Sequence, residues 1–525
     1  MTRTHAFRPH SGAPLVTPLL ALTLAFPLPA QRPPAFHVEE ATIAQIESAL
    51  HDRRITCRAL VEQYMRRIDA YDRKGPAINA IILVNPAATA TADSLDRLAR
   101  AGKSAGPLHC VPIIVKDNFD TYDLPTTAGS LSLSGAQPMR DAPVVARLRA
   151  AGAIVLAKSN MAEFAFSPYE TVSSILGTTK NPYALDRVPA GSSGGTAAAV
   201  ASSFGAVGLG TDTGNSIRGP SSHDALVGIR PTMGLTSRAG VVPLDLGADV
   251  TGPIARTVAD AVAVLQVMAG PDSADPVTLR SAGRVPASYS ASLKTNGLRG
   301  ARVGVLRAAY ESPTTDSEIV HLFNAALDDL RKQGATIVDS VAIDSLAQIR
   351  RSQRGNCQPF KWELNAYLAA QGPHVPVHSL DEIIQSGHYD PSIGARLKSA
   401  QSAAQSPDTN PACTGRDAYR QRLDAAITRT MDTAKLDALV YPTWSNPPRL
   451  IGDLRSPAGD NNQFYAPSSG FPAITVPMGY TRGDSLPAGL QFFGRGFDEA
   501  TLIRLAYSYE QATKHRRAPA SVPPM

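Results

Sequence analysis

Two serine- and glycine-rich clusters lie close together in this chain. The first is Gly191-Ser192-Ser193-Gly194-Gly195; the second is Gly210-Thr211-Asp212-Thr213-Gly214-Asn215-Ser216-Ile217-Arg218. A serine hydroxyl attacks a carbonyl once a neighbouring group takes its proton. Glycine lets a backbone turn sharply and lets another group approach its N–H closely. Between the clusters, Thr196 to Phe204 has the pattern of a small-residue helix, and Ala206 to Leu209 is a short apolar run. Two clusters joined by a helix read as a constructed site, whereas each alone also fits a surface loop.

The common nucleophile motifs fit poorly. Gly191-x-Ser193-x-Gly195 has the form Gly-x-Ser-x-Gly, which needs an apolar strand directly before it. The residues before it, Leu185 to Ala190, contain two charges and Pro189. His223 follows Ser216 at no recognisable triad spacing and reads as a hydrogen-bonded loop residue. No Gly-x-x-x-x-Gly-Lys loop and no His-Glu-x-x-His pair occur. Lys116-Asp117-Asn118 closes the apolar run of residues 111–115. A lysine in that position, taken alone, also reads as a surface residue whose stem lies along the core.

The elements around these residues alternate between strand and helix patterns. Glu39 to Leu50 and Thr56 to Tyr71 read as helices, the second with Leu60, Val61, Tyr64, Met65 and Ile68 on one face. Ala80 to Val84 is a strand and Ala87 to Ala101 a helix. Asp141 to Ala151 is a helix and Ala153 to Ala157 a strand. Further on, Val258 to Met268 and Ser317 to Lys332 are helical, while residues 302–306 and 335–342 are strands. This rhythm predicts an α/β fold. Residues 345–430 turn polar and helical, a candidate substrate-facing cap or a helical layer packed on the sheet. Strand patterns return at 439–442, 473–476 and 490–493, and Asp498 can cap a last helix, Glu499 to Ala512. The Pro-rich tail, 518–525, reads as loose. Trp362, Tyr441, Trp444, Phe464 and Tyr465 are candidate pocket aromatics or ordinary core.

Composition narrows the function classes. The 525 residues are 43% hydrophobic and 18% charged, which is globular usage and not that of a disordered chain. The net charge of +6 is spread without a run of five like charges, which gives no footing for nucleic acid or a polybasic membrane anchor. Residues 1–30 begin with Arg3 and Arg8 and continue through an uncharged apolar stretch, the pattern of a secretory signal peptide with an undefined cleavage point. Its prolines make it a poor membrane helix, so no stable membrane insertion is expected once the leader is removed. The expected location is periplasmic or secreted. In such a compartment Cys357 and Cys413 can form a disulfide. Cys110, beside an apolar strand, reads as a buried thiol. None of the four cysteines forms a Cys-x-x-Cys pair.

Taken together, Lys116-Asp-Asn, Gly191-Ser-Ser-Gly-Gly and Gly210-Thr-Asp-Thr-Gly-x-Ser-Ile-Arg218 resemble the amidase signature family. Flanking blocks strengthen the resemblance: Lys180-Asn-Pro-Tyr183, Gly228-Ile-Arg-Pro-Thr232, Arg256-Thr-Val-Ala-Asp260, Pro472-Ala-Ile-Thr-Val-Pro477 and Leu486-Pro-Ala-Gly-Leu-Gln491. It extends over roughly residues 40 to 512. The resemblance implies a large mixed β-sheet covered by helices on both faces, in a single domain over 31–517. It implies a triad with Ser216 as nucleophile, Ser192 as bridging serine and Lys116 as base, and a cis peptide before Ser192. The oxyanion would be held by the backbone N–H groups of Thr213, Gly214, Asn215 and Ser216. Ser193, Asp212 and Arg218 would support the triad, Asp212 and Arg218 as an ion pair. Asn215 stands where the family often has glycine, so its side chain is expected to narrow the site or add a donor. No metal or organic cofactor is implied.

The function expected from the resemblance is hydrolysis of a carboxylic amide to acid plus ammonia or amine, through an acyl-serine, on a small-molecule or peptide substrate. Alternatives are a peptide C-terminal amidase, a carbamate or aryl-amide hydrolase, an amidotransferase A-type subunit, or a non-catalytic binding protein on the same scaffold.

Overall fold

The computed structural model describes residues 1–14, 36–352 and 357–525. Residues 36–525 form one compact unit, and Met1–Ala35 are a separate one. In the latter, residues 1–14 are exposed and without regular secondary structure. From residue 15 on, the apolar stretch of the expected leader lies outside the described residues. Among the described residues no helix is long and apolar enough to cross a membrane.

The strands are β1 (Ile81–Val84), β2 (Pro112–Lys116), β3 (Ile154–Ser159), β4 (Val172–Ser173), β5 (Gly177–Thr178), β6 (Val207–Thr211) and β7 (Val227–Arg230). They continue as β8 (Thr251–Ala255), β9 (Arg302–Val305), β10 (Thr336–Val338), β11 (Ala438–Pro442), β12 (Ala473–Thr481) and β13 (Leu486–Phe493). Eleven of them form one sheet in the order β1-β3-β2-β6-β8-β7-β12-β13-β11-β9-β10, while β4 and β5 pair separately. The sheet is mixed. β2 runs parallel to both β3 and β6, whereas β6 and β8 are antiparallel. Every residue of β2, β3 and β6 is buried, which explains their continuous apolar runs. Helices cover both faces, as expected.

Local chemistry sets the helices. Thr56 caps helix Cys57–Tyr71 by accepting from the Ala59 N–H, and the buried residues include Leu60, Val61, Tyr64 and Ile68, the stripe visible in the sequence. Thr257 caps helix Val258–Met268 in the same way. Two expectations fail at the periphery. Cys110 is no free thiol: it is joined to Cys57, with Cα atoms 5.4 Å apart, because Cys57, which opens helix Cys57–Tyr71, and Cys110, two residues before β2, are buried in one apolar core. The C-terminal tail is not loose. The Arg67 guanidinium donates to the carbonyls of Val522 and Pro523, each at 3.0 Å, and the Val522 side chain is buried.

Helices predominate among the described residues of 345–430, and a disulfide joins Cys357 to Cys413 as expected. Helices Phe360–Gln371, Leu380–Ser386 and Gly394–Gln401 contribute Phe360, Leu364, Leu368, Leu380, Ile383 and Leu397 to a second apolar core. That core also contains Leu133, Met161, Phe164 and Phe166. Tyr367 Oη and Gln371 Nε2 donate to the Asp120 carboxylate at 2.6 and 2.8 Å. The segment is thereby fastened to the loop that follows β2.

Candidate active site

Lys116 ends β2, and Thr211 ends the neighbouring parallel strand β6. The carboxyl ends of adjacent parallel strands are where open α/β sheets place ligands. Lys116 is fully buried. Its Nζ donates to Ser192 Oγ at 2.8 Å and to Thr211 Oγ1 at 2.7 Å. Burial drives the Lys116 pKa down to about 7, against the opposing pull of Asp249 and Asp212. A substantial fraction is then neutral near pH 7 and can accept a proton.

Ser192 follows a cis peptide from Gly191. The glycines here are required by close approach: a Cβ on Gly191 would collide with the carbonyls of Ser167 and Glu170, and one on Gly195 with the Asn160 backbone. Ser216 sits across from this turn, its carbonyl accepting from the Ser193 N–H at 3.3 Å. Ser216 is 5% exposed, and among the described residues its hydroxyl has no hydrogen-bond partner. It faces a cavity of about 640 Å³. Ser193 Oγ donates to the Thr211 carbonyl at 3.2 Å rather than to another hydroxyl of the cluster.

The loop before Ser216 presents unengaged donors. Among the described residues, none of the N–H groups of Thr213, Gly214, Asn215 and Ser216 has an acceptor. All four residues line the cavity. Backbone donors fixed around a reactive hydroxyl stabilise negative charge developing on a substrate oxygen.

Asp212 holds this loop in shape. Its carboxylate accepts from Arg218 Nε at 3.1 Å and from the Ile217 N–H at 3.2 Å. The expected pair with Arg218 is therefore present, and a second cation completes it: Arg230 Nη1 lies 2.8 Å from Asp212 Oδ1. All three side chains are inaccessible. Burial opposes the Asp212 charge, yet the two guanidiniums hold its pKa down at about 2. Arg230 was legible only as part of a family block; its role appears once β7 is laid beside β8.

Asn215 corrects an expectation. Its amide is bonded within the protein rather than offered to the cavity as a donor. Nδ2 donates to the Asn461 carbonyl at 2.8 Å, and Oδ1 accepts from the Gly219 N–H at 2.7 Å. Two residues escaped the sequence reading. Thr211 shares the Lys116 ammonium. Asp249 accepts from Thr213 Oγ1 at 2.5 Å and from the Leu244 and Asp245 N–H groups at 2.9 and 3.0 Å. Burial raises the Asp249 pKa to about 6.

His223 lies away from this chemistry. It stacks on Trp444 with ring centroids 4.4 Å apart, and burial pushes its pKa down to about 3. None of the five candidate aromatics lines the cavity; Phe166, Phe360 and Tyr419 do. Other lining residues from the 345–430 segment include Cys357, Arg396 and Arg420.

Comparison with known proteins places the chain in a class of enzymes acting on amide C–N bonds. A family profile described as Amidase matches residues 59–503, and the chain belongs to this amidase signature family. It is 35% identical to a probable amidase of Arabidopsis thaliana over 506 residues, covering 92% of each chain. It is 34% identical to the A-type subunit of the glutamyl-tRNA(Gln) amidotransferase of Halorhodospira halophila, over 92% of this chain and 99% of that one. The solved peptide amidase of Stenotrophomonas maltophilia superposes with a TM-score of 0.83 at 36% identity, covering 92% of this chain and 99% of that one.

Proposed function

We propose that this amidase is exported and cleaves carboxylic amides, releasing ammonia or an amine, with Ser216 as the nucleophile. Neutral Lys116 accepts the Ser192 hydroxyl proton as Ser192 accepts that of Ser216. Ser216 Oγ then bonds to the amide carbon, and the negative oxygen lies against the N–H groups of residues 213–216. Collapse breaks the C–N bond while the proton returns through Ser192 to the leaving nitrogen. Water repeats the sequence on the acyl-serine, yielding the acid and free Ser216.

The observation that carries this reading is the 2.8 Å bond from buried Lys116 to Ser192, beside a Ser216 hydroxyl that opens onto the cavity. The second leg, from Ser192 to Ser216, is made when substrate binds; hydrogen bonds of this kind commonly tighten only in the loaded site. The apolar leader, residues 1–30, supports export.

Peptide C-terminal amides are the favoured substrates. The support is the likeness to the Stenotrophomonas peptide amidase and a cavity large enough for more than a simple amide. An amidotransferase role, suggested by the Halorhodospira relative, requires a tRNA-binding partner. The deciding experiment is a panel of peptide amides, simple amides, aryl amides, esters and carbamates given to protein lacking residues 1–30. Peptide amides should be the best substrates, and Ser216→Ala should abolish turnover. Undiminished turnover by Ser216→Ala removes the nucleophile assignment, and co-purification with a tRNA-binding protein favours the amidotransferase.

A further inference from the structure

Among the described residues, the cavity over Ser216 is lined by three guanidiniums, Arg396, Arg416 and Arg420, and by one carboxylate, Asp245. These charges are not equally committed. Arg416 Nη1 takes both oxygens of Asp245, at 2.7 and 2.9 Å. Arg420 donates to the Gly247 carbonyl and lies 3.6 Å from Asp417. Arg396, on helix Gly394–Gln401, stands at the exposed rim. Its Nη1 donates to the Phe166 carbonyl, and its guanidinium sits 4.3 Å from the centre of the Phe166 ring. Among the described residues it has no carboxylate partner and no other hydrogen bond.

A guanidinium carries five N–H donors in a planar fork. One is used here, and the contact with Phe166 restricts how the plane can turn. Among the described residues, the result is a preformed cation with donors to spare on the wall of a cavity whose one lining carboxylate, Asp245, is already bound. Phe166, which Arg396 covers, is in ring contact with Phe360 at 4.7 Å, and these two with Leu244 and Tyr419 supply apolar surface to the cavity. Such a wall receives a carbon skeleton that ends in an anion.

We propose that Arg396 binds a carboxylate of the substrate, so that the preferred amides carry an acidic group on the acyl side, away from the C–N bond that breaks. The inference rests on the amide-hydrolysis reading and adds a substrate class to it. Arg396 is a specificity residue with no part in proton transfer.

The test compares N-succinyl-L-phenylalaninamide with N-butanoyl-L-phenylalaninamide, which differ by a carboxylate in place of a methyl group. Wild-type kcat/KM should favour the succinyl amide by about tenfold or more, the scale of one charge-assisted hydrogen bond, and the gap should shrink as salt is raised. Arg396→Gln should bring the succinyl amide down to the butanoyl level and leave the butanoyl amide unchanged. Arg396→Lys should keep part of the preference, since it restores the charge without the fork. No preference in the wild type, or an equal loss on both amides in Arg396→Gln, overturns the proposal. If neither amide is cleaved, hydrolysis of these substrates fails, and the proposal is read from calorimetric binding to Ser216→Ala. Tighter binding of the succinyl amide that depends on Arg396 then upholds it; equal or undetectable binding overturns it.

Discussion

The ammonium nitrogen of Lys116 lies 2.8 Å from the hydroxyl of Ser192, with both side chains fully buried. Burial costs the charged form of the lysine more than Asp249 and Asp212 return, and its pKa falls to about 7. The direction of the pH dependence follows. The base is the neutral amine, whose fraction rises with pH, so kcat/KM should climb through about pH 7 to a plateau. Below it the rate should fall about tenfold per unit. Steady-state kinetics over a pH series checks this. Lys116→Ala should lose most activity, and a wild-type profile that stays flat into acid would remove the lysine from its role.

Among the described residues, Asp212 is the one carboxylate paired with two buried guanidiniums, Arg218 and Arg230. Asp212→Ala leaves both uncompensated, and removing one partner from a buried ion network costs about 3–5 kcal/mol. Denaturant unfolding should register a loss of that size. In the wild type the Asp212 pKa is held down at about 2. Its contribution is therefore complete above the unfolded-state value of about 4 and is lost as pH falls through about 2.

Much of the site was legible because its chemistry is concentrated in short motifs. Lys116, Ser192 and Ser216 each sit in a distinct string of residues, and the ends of β2 and β6 bring those strings together. What sequence could not supply was pairing across the sheet. Residues 227–230 and 251–255 contain glycine, and the second also contains Pro253, so no strand pattern stands out in either. They become strands because β6, β8, β7 and β12 lie side by side. Arg230 reaches Asp212 only through that arrangement. Cys57 and Cys110 lie 53 residues apart, and nothing local to either reveals that their elements pack together. Of the two readings open for the five candidate aromatics, core is the one met by Tyr441, Trp444 and Tyr465, and the aromatics that do line the cavity were hidden for the same reason. Phe166 and Phe360 meet with ring centroids 4.7 Å apart across the junction of the main fold and the 345–430 segment, which no periodicity encodes.

Asp249 should prove to be a positioning residue. One carboxylate oxygen holds the Thr213 hydroxyl and the other the Leu244 and Asp245 N–H groups. It thus ties the loop before Ser216 to a wall of the cavity. Its charge also favours the protonated form of Lys116. Asp249→Asn keeps the shape and removes the charge, so kcat should fall while the acid limb moves to lower pH. A purely structural residue would lower activity or expression without moving that limb. An unshifted pH profile in a folded variant therefore argues against the electrostatic part of the role.

The Cys357–Cys413 disulfide bears on substrate binding more than on chemistry. Cys357 lines the cavity beside Phe360, and Cys413 lies in the turn just before Arg416, which also lines it. The bond closes a loop of 56 residues that carries Arg396 and the helices packed on Phe164 and Phe166. Closing a loop of that length is worth about 4 kcal/mol in the chain-entropy account. The helices of the loop pack in an apolar core that they share with Leu133, Met161, Phe164 and Phe166, whereas Lys116 is held at the end of β2 and Ser192 in the turn after Gly191. Cys413→Ser paired with Cys357→Ser should therefore raise KM for peptide amides severalfold with a smaller change in kcat, and should make the 357–413 segment the first to be cut in limited proteolysis. An unchanged KM with kcat reduced would instead place the disulfide's influence on the Lys116–Ser192 geometry.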